Sequence, residues 1–207
     1  MAKHSHRVIP LFPLGINVLP GELIPLHIFE NRYRKLLAYC LHLREQGFAP
    51  EFGVLLSNGK TMKERGCVVS VVEILRQYED GRSDIVVQGK RLFELIHVLP
   101  DEEFPRAHVE EISERENCPT DEQYAEMFAL VVEFLESVGI AEPLPDSATR
   151  SAFELASACR LDVFERQELL VQPDEVSRLD VLKSMVAFRV AVVDRNGPES
   201  VDEIYCD

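Results

Sequence analysis

The stretch PLFPLGINVLPGELIPLHIFENRY, residues 10–33, is the most informative part of this chain. It is rich in apolar side chains, is interrupted by proline and glycine, and ends in a cluster of charged and polar residues. Because proline breaks helices, the pattern predicts two short strands, over residues 7–12 and 18–26. The first strand is expected to stop at Pro13, and the second to bend at Pro20-Gly21.

The second half of this stretch, PLHIFENRY at residues 25–33, connects a strand to a helix. Pro25 favours an extended backbone, and the large apolar side chains that follow, Phe29 among them, are expected to fill a core. His27 is expected to point away from its two apolar neighbours, since side chains alternate along a strand. The motif is therefore interpreted as a folding element more than as a contact surface.

A helix is predicted over about residues 30–45, because apolar side chains recur every three or four positions from Tyr33 onward. A negative group such as Glu30 suits the amino-terminal end of this helix, and Arg32 is expected to reach an acidic partner or a carbonyl. Later runs rich in valine and isoleucine predict strands over residues 52–56, 67–75, 84–88, 91–99 and 108–112. Gly89 is expected to mark a tight turn or bulge. Six or seven short strands indicate a small barrel or sandwich.

From residue 119 onward the apolar period becomes that of helices. Four helices are predicted, which indicates a small bundle ending in a long helix over about residues 174–194. Their predicted caps are Thr120 with Gln123, Asp146 or Ser147, Asp162 with Glu165, and Asp174. The first helix is expected to bury Tyr124, Phe128, Val131, Val132 and Leu135. The apolar face of the last helix is either intramolecular core or a dimer seam, and it consists of Leu179, Leu182, Val186, Val190 and Val193.

The formal net charge of −14 is concentrated in the second half of the chain. Residues 1–113 carry a net charge of −1, whereas residues 114–207 carry −13. This break predicts a β-rich unit over residues 7–113, an acidic helical unit over residues 114–196, and a flexible tail over residues 197–207. Neither half is basic, which argues against nucleic acid and anionic membranes as partners.

Catalytic and metal-binding patterns are not evident in the sequence. The five cysteines include no Cys-x-x-Cys spacing, so neither a disulfide framework nor a zinc site is indicated, and a reducing, cytoplasmic compartment fits best. Asn58-Gly59-Lys60-Thr61 lacks the upstream glycine of a phosphate-binding loop. No apolar run approaches the roughly 18 to 20 residues needed to span a bilayer. We therefore predict no catalytic residue, no metal and no cofactor.

Five segments in the first half occur in a characteristic order. They are PLHIFENRY at 25–33, Phe52-Gly53-Val54, Gly66-Cys67-Val68 with Glu73-Ile74, Asp80-Gly81-Arg82, and Val87-x-Gly89-x-Arg91-x-Phe93. Together they resemble the amino-terminal, substrate-binding domain of Lon proteases, and ERQELLVQPDEVSRLDVL at 165–182 resembles it more loosely. The resemblance implies an α+β fold in which a small PUA-like, β-barrel-like unit with one helix precedes a helical bundle. The matching motif positions are Pro25, His27, Phe29, Glu30, Arg32 and Tyr33.

The resemblance also implies a non-catalytic recognition module, standing without the ATPase and protease regions of a complete Lon protease. Its partner would be unfolded or degron-bearing polypeptide, and its role that of an adaptor in proteolysis or quality control, beside a protease or chaperone. The candidate contact surface is the loop around Pro13, Leu14 and Ile16, where large apolar side chains replace the expected polar ones. Leu14 and Ile16 could instead fold back on the helical half. The alternative function is small-molecule binding, or hydrolysis, in a pocket between the two units.

Overall fold

The computed structural model describes residues 6–100, 103–113, 117–140 and 148–198. The chain divides into two compact units, residues 1–113 and residues 114–207, here termed the β unit and the helical unit. The described part of the β unit holds six strands and one helix, and that of the helical unit holds four helices. The predicted α+β fold, with strands first and helices second, is therefore confirmed.

The sheet of the β unit closes on itself. Its elements are β1 (His6–Leu14), β2 (Leu23–Ile28), α1 (Asn31–Glu45), β3 (Glu51–Leu56), β4 (Arg65–Gln77), β5 (Ser83–Val98) and β6 (Arg106–Glu111). The strand order is β2-β5-β4-β3-β1-β6; β1 and β3 are parallel, and the other pairings are antiparallel. Because β6 also pairs with β5, five strands form a closed ring, to which β2 adds along part of β5. Among the described strands, closure leaves β2 as the one with an unpaired edge.

Two apolar clusters hold the β unit together. One draws on all five ring strands, as expected of the interior of a closed sheet, and consists of Ile9, Leu11, Leu55, Val68, Phe93, Ala107 and Val109. The other packs α1 against β2 and the neighbouring ring strands. In this second cluster α1 supplies Tyr33, Leu36, Leu37 and Cys40. The predicted helical stripe that begins at Tyr33 is thus confirmed.

In the opening stretch, the end of the first strand and the start of the second differ from those predicted. β1 continues through Pro13, which lies opposite Leu55 of β3, because proline is tolerated where the ladder needs no N–H donor. β2 begins at Leu23 and not at Val18, after a turn in which Gly21 has a φ of +86°. The predicted bend at Pro20-Gly21 is therefore confirmed, but the residues before it are not strand.

Gly89 does not end a strand. β5 runs through it, and the pairing with β4 slips from Val68–Arg91 to Val69–Gly89, which makes the site a bulge. Glycine is needed because the backbone of Leu19 crosses directly above it. Of the two alternatives predicted there, a tight turn or a bulge, the bulge is confirmed, at a point of close backbone approach.

An ion-pair network joins four of the ring strands. Arg91 on β5 donates two hydrogen bonds to Glu51 on β3, at 2.8 and 2.6 Å, and one to Glu111 on β6, at 2.9 Å. Arg7 on β1 also donates to Glu111. The hydrogen bonds from Arg91 hold the pKa of Glu51 below its usual range, although burial opposes the shift.

We expect Glu51→Gln to change how stability depends on pH. A carboxyl group whose folded-state pKa is lowered contributes fully above its unfolded pKa, about 4.3, and this contribution is lost as pH falls through the folded pKa. The variant should be less stable at neutral pH and should show a flatter loss of stability in acid. Urea unfolding at a series of pH values tests this, with the exposed Glu45→Gln as control. Parallel pH profiles for Glu51→Gln and the parent would contradict the expectation.

The helical unit consists of α2 (Asp121–Ser137), α3 (Ala152–Ser157), α4 (Val163–Leu170) and α5 (Glu175–Asn196). The capping boxes predicted at Thr120 and Asp162 are both present, and Asp174 caps α5. Ser151 caps α3, and this helix therefore begins later than predicted. The predicted caps Asp146 and Ser147 lie outside the described residues. None of the described helices is long and apolar enough to cross a membrane.

The faces of the two longest helices are packed within the unit. The five apolar residues predicted along α5 are all buried, and α2, α3 and α4 each contact α5. That face is therefore core and not a dimer seam. On α2 the buried stripe includes Met127 and Phe134, whereas Phe128 and Val132 are half-buried. The prediction for those two was wrong, because the buried stripe lies slightly around the helix from the one expected.

Two arginines in α5 are buried, which the sequence pattern did not indicate. Arg178 forms an ion pair with Glu175, and its guanidinium lies 4.0 Å from the ring centroid of Phe153. Arg189 forms an ion pair with Glu165. Because buried charges require such partners, the Arg189 pair constrains the packing of α5 on α4, and the stacking of Arg178 on Phe153 constrains that of α5 on α3.

Candidate functional site

The PLHIFENRY motif has an inner and an outer side. Along β2, Leu26 and Ile28 are buried while Pro25 and His27 are exposed, so the prediction for His27 is confirmed. The alternation continues past the end of the strand, and Phe29 is 59% exposed. The expectation that Phe29 fills the core was wrong: Ile28 points into the core, so its neighbour in an extended chain points outward.

The outward side chains of this segment form a surface that we term the β2 face. It consists of Leu23, Pro25, His27 and Phe29, all exposed. The antiparallel register places Val86 beside Pro25 and Asp84 beside His27 on the next strand. Leu23 at the start of the strand and Phe29 just past its end thus display large apolar side chains on the same side. Exposed apolar groups of this kind mark interaction sites more often than scattered single residues do.

His27 is held in place by a short polar chain. Its Nδ1 lies 2.5 Å from Asp84 Oδ1, and the Tyr78 hydroxyl donates to Asp84 Oδ2 at 2.7 Å. These hydrogen bonds, from His27 first and then Tyr78, hold the pKa of Asp84 below its usual range. Since an ionised carboxylate can only accept, Nδ1 of His27 carries a proton. The imidazole stacks on Phe29, with ring centroids 5.8 Å apart, which supports the exposed phenyl ring.

Cationic side chains border the β2 face. The guanidinium groups of Arg76 and Arg82 lie 4.6 and 5.0 Å from the ring centroid of Tyr78. Arg82 is also paired with Asp80, at 2.7 Å. The result is an apolar centre with a polar, charge-balanced rim, which is the usual composition of a protein–protein contact.

The free edge of β2 is poorly suited to strand addition. Among the described residues, β2 pairs with β5 and with no second strand. Pro25 lies in its middle and has no N–H, so its nitrogen must lie on the side away from β5. A peptide strand added there would find a gap in the ladder, a common protection of edge strands. Contacts through the side chains of the β2 face are therefore better supported than continuation of the sheet.

The remaining motif residues lie at the start of α1 and hold it in position. Glu30 is the residue before the helix, and it accepts a hydrogen bond from Arg32 at 3.0 Å, which confirms the predicted acidic partner. The Arg32 guanidinium lies 4.5 Å from the ring centroid of Tyr33. Tyr33 is buried against Phe12, with ring centroids 4.0 Å apart. These contacts fix the helix start close to the β2 face.

The loop predicted as the contact surface is largely packed. Pro13 and Leu14 belong to β1, both are half-buried, and Leu14 packs against the core cluster beneath α1. Ile16 is 37% exposed. Pro13 and Leu14 are therefore strand residues and not loop residues as predicted, because β1 extends further than expected, whereas Ile16 does lie in the loop. The β2 face could have been predicted from the sequence by extending the strand alternation from His27 to Phe29, which places both side chains on the outer side.

A separate pocket of about 160 Å³ in the β unit is lined by Tyr39, Glu103, Phe104 and Arg106. It is smaller than the roughly 300–1,000 Å³ of most ligand sites. Within the described residues, no three histidine, cysteine or acidic side chains are grouped so as to hold a metal ion. The thiols of Cys40 and Cys67 are buried, which raises the pKa of each to about 12 and makes them poor nucleophiles.

The described fold is a closed five-stranded ring with an added strand, followed in the chain by a helical unit, and it defines the class of α+β domain to which this chain is similar. The family model described as the ATP-dependent protease La (LON) substrate-binding domain matches residues 8–187, and the chain belongs to this family. A solved structure similar in fold is a Lon N-terminal domain protein from Xanthomonas campestris, with a TM-score of 0.65, 23% identity, and coverage of 86% of this chain and 98% of that one. Another is the N-terminal domain of Mycobacterium avium complex Lon protease, with a TM-score of 0.65, 19% identity, and coverage of 87% and 98%.

Proposed function

We propose that this protein is a non-catalytic module that binds polypeptides through the β2 face. The observation that carries the proposal is the display of Phe29, 59% exposed, at the end of a strand whose alternate residues are core. Membership of the substrate-binding family supports a polypeptide as the ligand. The preferred ligand is a segment with exposed apolar or aromatic side chains, as unfolded and degron-bearing chains present.

The β2 face is well suited to this task because its contacts already hold it in position. The backbone of β2 is paired with β5, and Asp84 anchors the imidazole that supports Phe29. Aromatic side chains held in place lose little entropy on binding and commonly supply much of the affinity of a contact. Leu23, at the other end of the strand, would extend the contact along the bound segment.

Phe29→Ala should weaken peptide binding by about tenfold or more, equivalent to about 1.4 kcal/mol. It should lower the free energy of unfolding by less than about 1 kcal/mol, because the ring is mostly in solvent. Fluorescence anisotropy with labelled unfolded peptides measures the first quantity, and urea unfolding measures the second.

Phe48→Ala is the matched control, since Phe48 is 63% exposed but follows α1 and lies outside the β2 face. This variant should bind as the parent does. Equal losses in the two variants would contradict a specific site on the β2 face. An absence of saturable peptide binding by the parent chain would overturn the proposed function itself.

We further propose that the β unit over residues 7–113 carries recognition and that the acidic helical unit over residues 114–196 mainly maintains solubility. The predicted tail, apart from residues 197 and 198, lies outside the described residues. The protein would act in the cytoplasm as an adaptor in proteolysis or quality control, delivering bound chains to a protease or chaperone. Cross-linking of the native chain in cells followed by mass spectrometry tests this role. Recovery of Phe29-dependent partners that include neither a protease nor a chaperone would contradict it.

A further inference from the structure

Two histidines lie opposite each other on the ring, in a different part of the sheet from the β2 face. His97 on β5 pairs with His108 on β6, their ring centroids are 4.5 Å apart, and the ring planes are inclined by 26°. The residues on either side of His108, Ala107 and Val109, are buried in the ring core, so the histidine pair is on the outer face. His97 is exposed and His108 is half-buried.

A β-bulge brings these histidines together. Val109 pairs with Leu95, so in a regular ladder His108 would lie opposite Ile96. The register shifts between Leu95 and His97, which leaves Ile96 without a partner and moves His97 into place. The pairing of two imidazoles is therefore a product of local irregularity in β5, and bulges of this kind commonly re-aim a functional side chain.

The surroundings of the pair favour a bound cation. Within the described part of the chain, neither imidazole has a hydrogen-bond or ion-pair partner, so their ring nitrogens are available. One step along the same face, Glu94 lies opposite Glu110. These two carboxylate residues are about 6.7 Å along the strands from the histidine pair. At that distance they do not supply a ligand without moving, but they add negative potential at the pair. Arg65 offsets part of that potential through its ion pair with Glu94.

We propose that His97 and His108 chelate one divalent transition-metal ion of the zinc type. Imidazole nitrogens bind such ions at about 2.0–2.1 Å, so two of them on one tetrahedral ion are about 3.3 Å apart. Directly opposite residues have Cβ atoms about 4.5–5.5 Å apart, and with the ring centroids 4.5 Å apart, rotation of the two side chains would bring one nitrogen of each to that separation. Water completes the coordination, which makes the site open and exchangeable.

Titration with Zn²⁺ tests the proposal, using chain purified without a histidine tag at a pH of about 7.5, because protons compete with the metal for its ligands at lower pH. Calorimetry should show a saturable site, and the ring proton signals of His97 and His108 should shift with it. His97→Ala and His108→Ala should each weaken this site at least about tenfold, since each removes half of the chelate. His42→Ala, an exposed histidine on α1, should bind like the parent.

Val8→His provides a test by gain of affinity. Strand β6 lies between β1 and β5, and His108 on β6 pairs with Val8 on β1 as well as with His97 on β5. This variant therefore aligns three imidazoles in one row across three strands. Its Zn²⁺ affinity should rise at least about tenfold, because three protein ligands are typical of zinc sites with an open position. The proposal is overturned if millimolar Zn²⁺ leaves both histidine signals unshifted, if either alanine variant binds like the parent, or if Val8→His gains nothing.

Discussion

Arg178→Ala should lower the free energy of unfolding of the helical unit by about 3–5 kcal/mol. The side chain has no exposed surface and pairs with Glu175. That carboxylate also accepts hydrogen bonds from the Tyr124 hydroxyl, at 3.2 Å, and from the backbone N–H of Ala152. Without the guanidinium, Glu175 becomes a largely buried charge that lacks its cation, and the ring of Phe153 loses the group stacked on it.

Far-UV circular dichroism during urea unfolding measures this loss, since it follows the helices. Arg150→Ala is the matched control: Arg150 also lies over an aromatic ring, that of Tyr124, and also pairs with an acid, Asp121, but both partners of this ion pair are largely exposed. Its removal should cost less than about 1 kcal/mol. Adding Glu175→Gln to Arg178→Ala should restore part of the stability. Similar small costs for both arginines would contradict a structural role for the buried pair.

Gly89→Ala should destabilise the β unit by about 3 kcal/mol, at the upper end of the usual cost of overpacking. A Cβ atom at this position would lie 2.1 Å from the carbonyl oxygen of Leu19 and 2.9 Å from its carbonyl carbon. This backbone cannot simply withdraw, because Gly21 donates to the Gly89 carbonyl at 3.0 Å and Gly89 donates to the Glu22 carbonyl at 2.9 Å. The clash would therefore break hydrogen bonds at the turn that leads into β2.

Thermal melting of the two variants Gly89→Ala and Gly15→Ala separates this clash from a general effect of replacing glycine. A Cβ atom at Gly15 would meet nothing within 4 Å, so its replacement should change stability by no more than about 0.5 kcal/mol. Equal melting temperatures for the two variants would show that the loop over β5 yields easily.

Local features were predictable because their causes are local. The caps at Thr120 and Asp162 are confirmed as predicted, since a cap and its partner are only three residues apart. The start of α1 and the bend at Pro20-Gly21 likewise depend on neighbouring residues alone. Helix order, the α+β class and the family resemblance followed from such signals taken in sequence.

The candidate site was predicted less well, and the reasons are long-range. At Gly89 the sequence left a tight turn and a bulge open. That β5 continues through a bulge there, with the backbone of Leu19, seventy residues earlier in the chain, lying close above it, is a long-range feature. Phe29 resembles a core residue by type, and its exposure depends on which face of β2 packs under α1. The burial of Arg189 depends on Glu165 of α4, and that of Arg178 depends on the ring of Phe153 in α3 as well as on Glu175 one turn away.

By itself, the sequence determined the kinds and order of the elements, the charge division between the two halves, and membership of a substrate-binding family. Tertiary structure alone decided that the sheet closes through β5 and β6, that the β2 face displays Phe29 beside an anchored His27, and that a bulge sets His97 against His108. Periodicity and caps reflect interactions between residues a few positions apart. Strand pairing, register and the choice of buried face arise from contacts between distant segments, whose energies no short stretch of sequence contains.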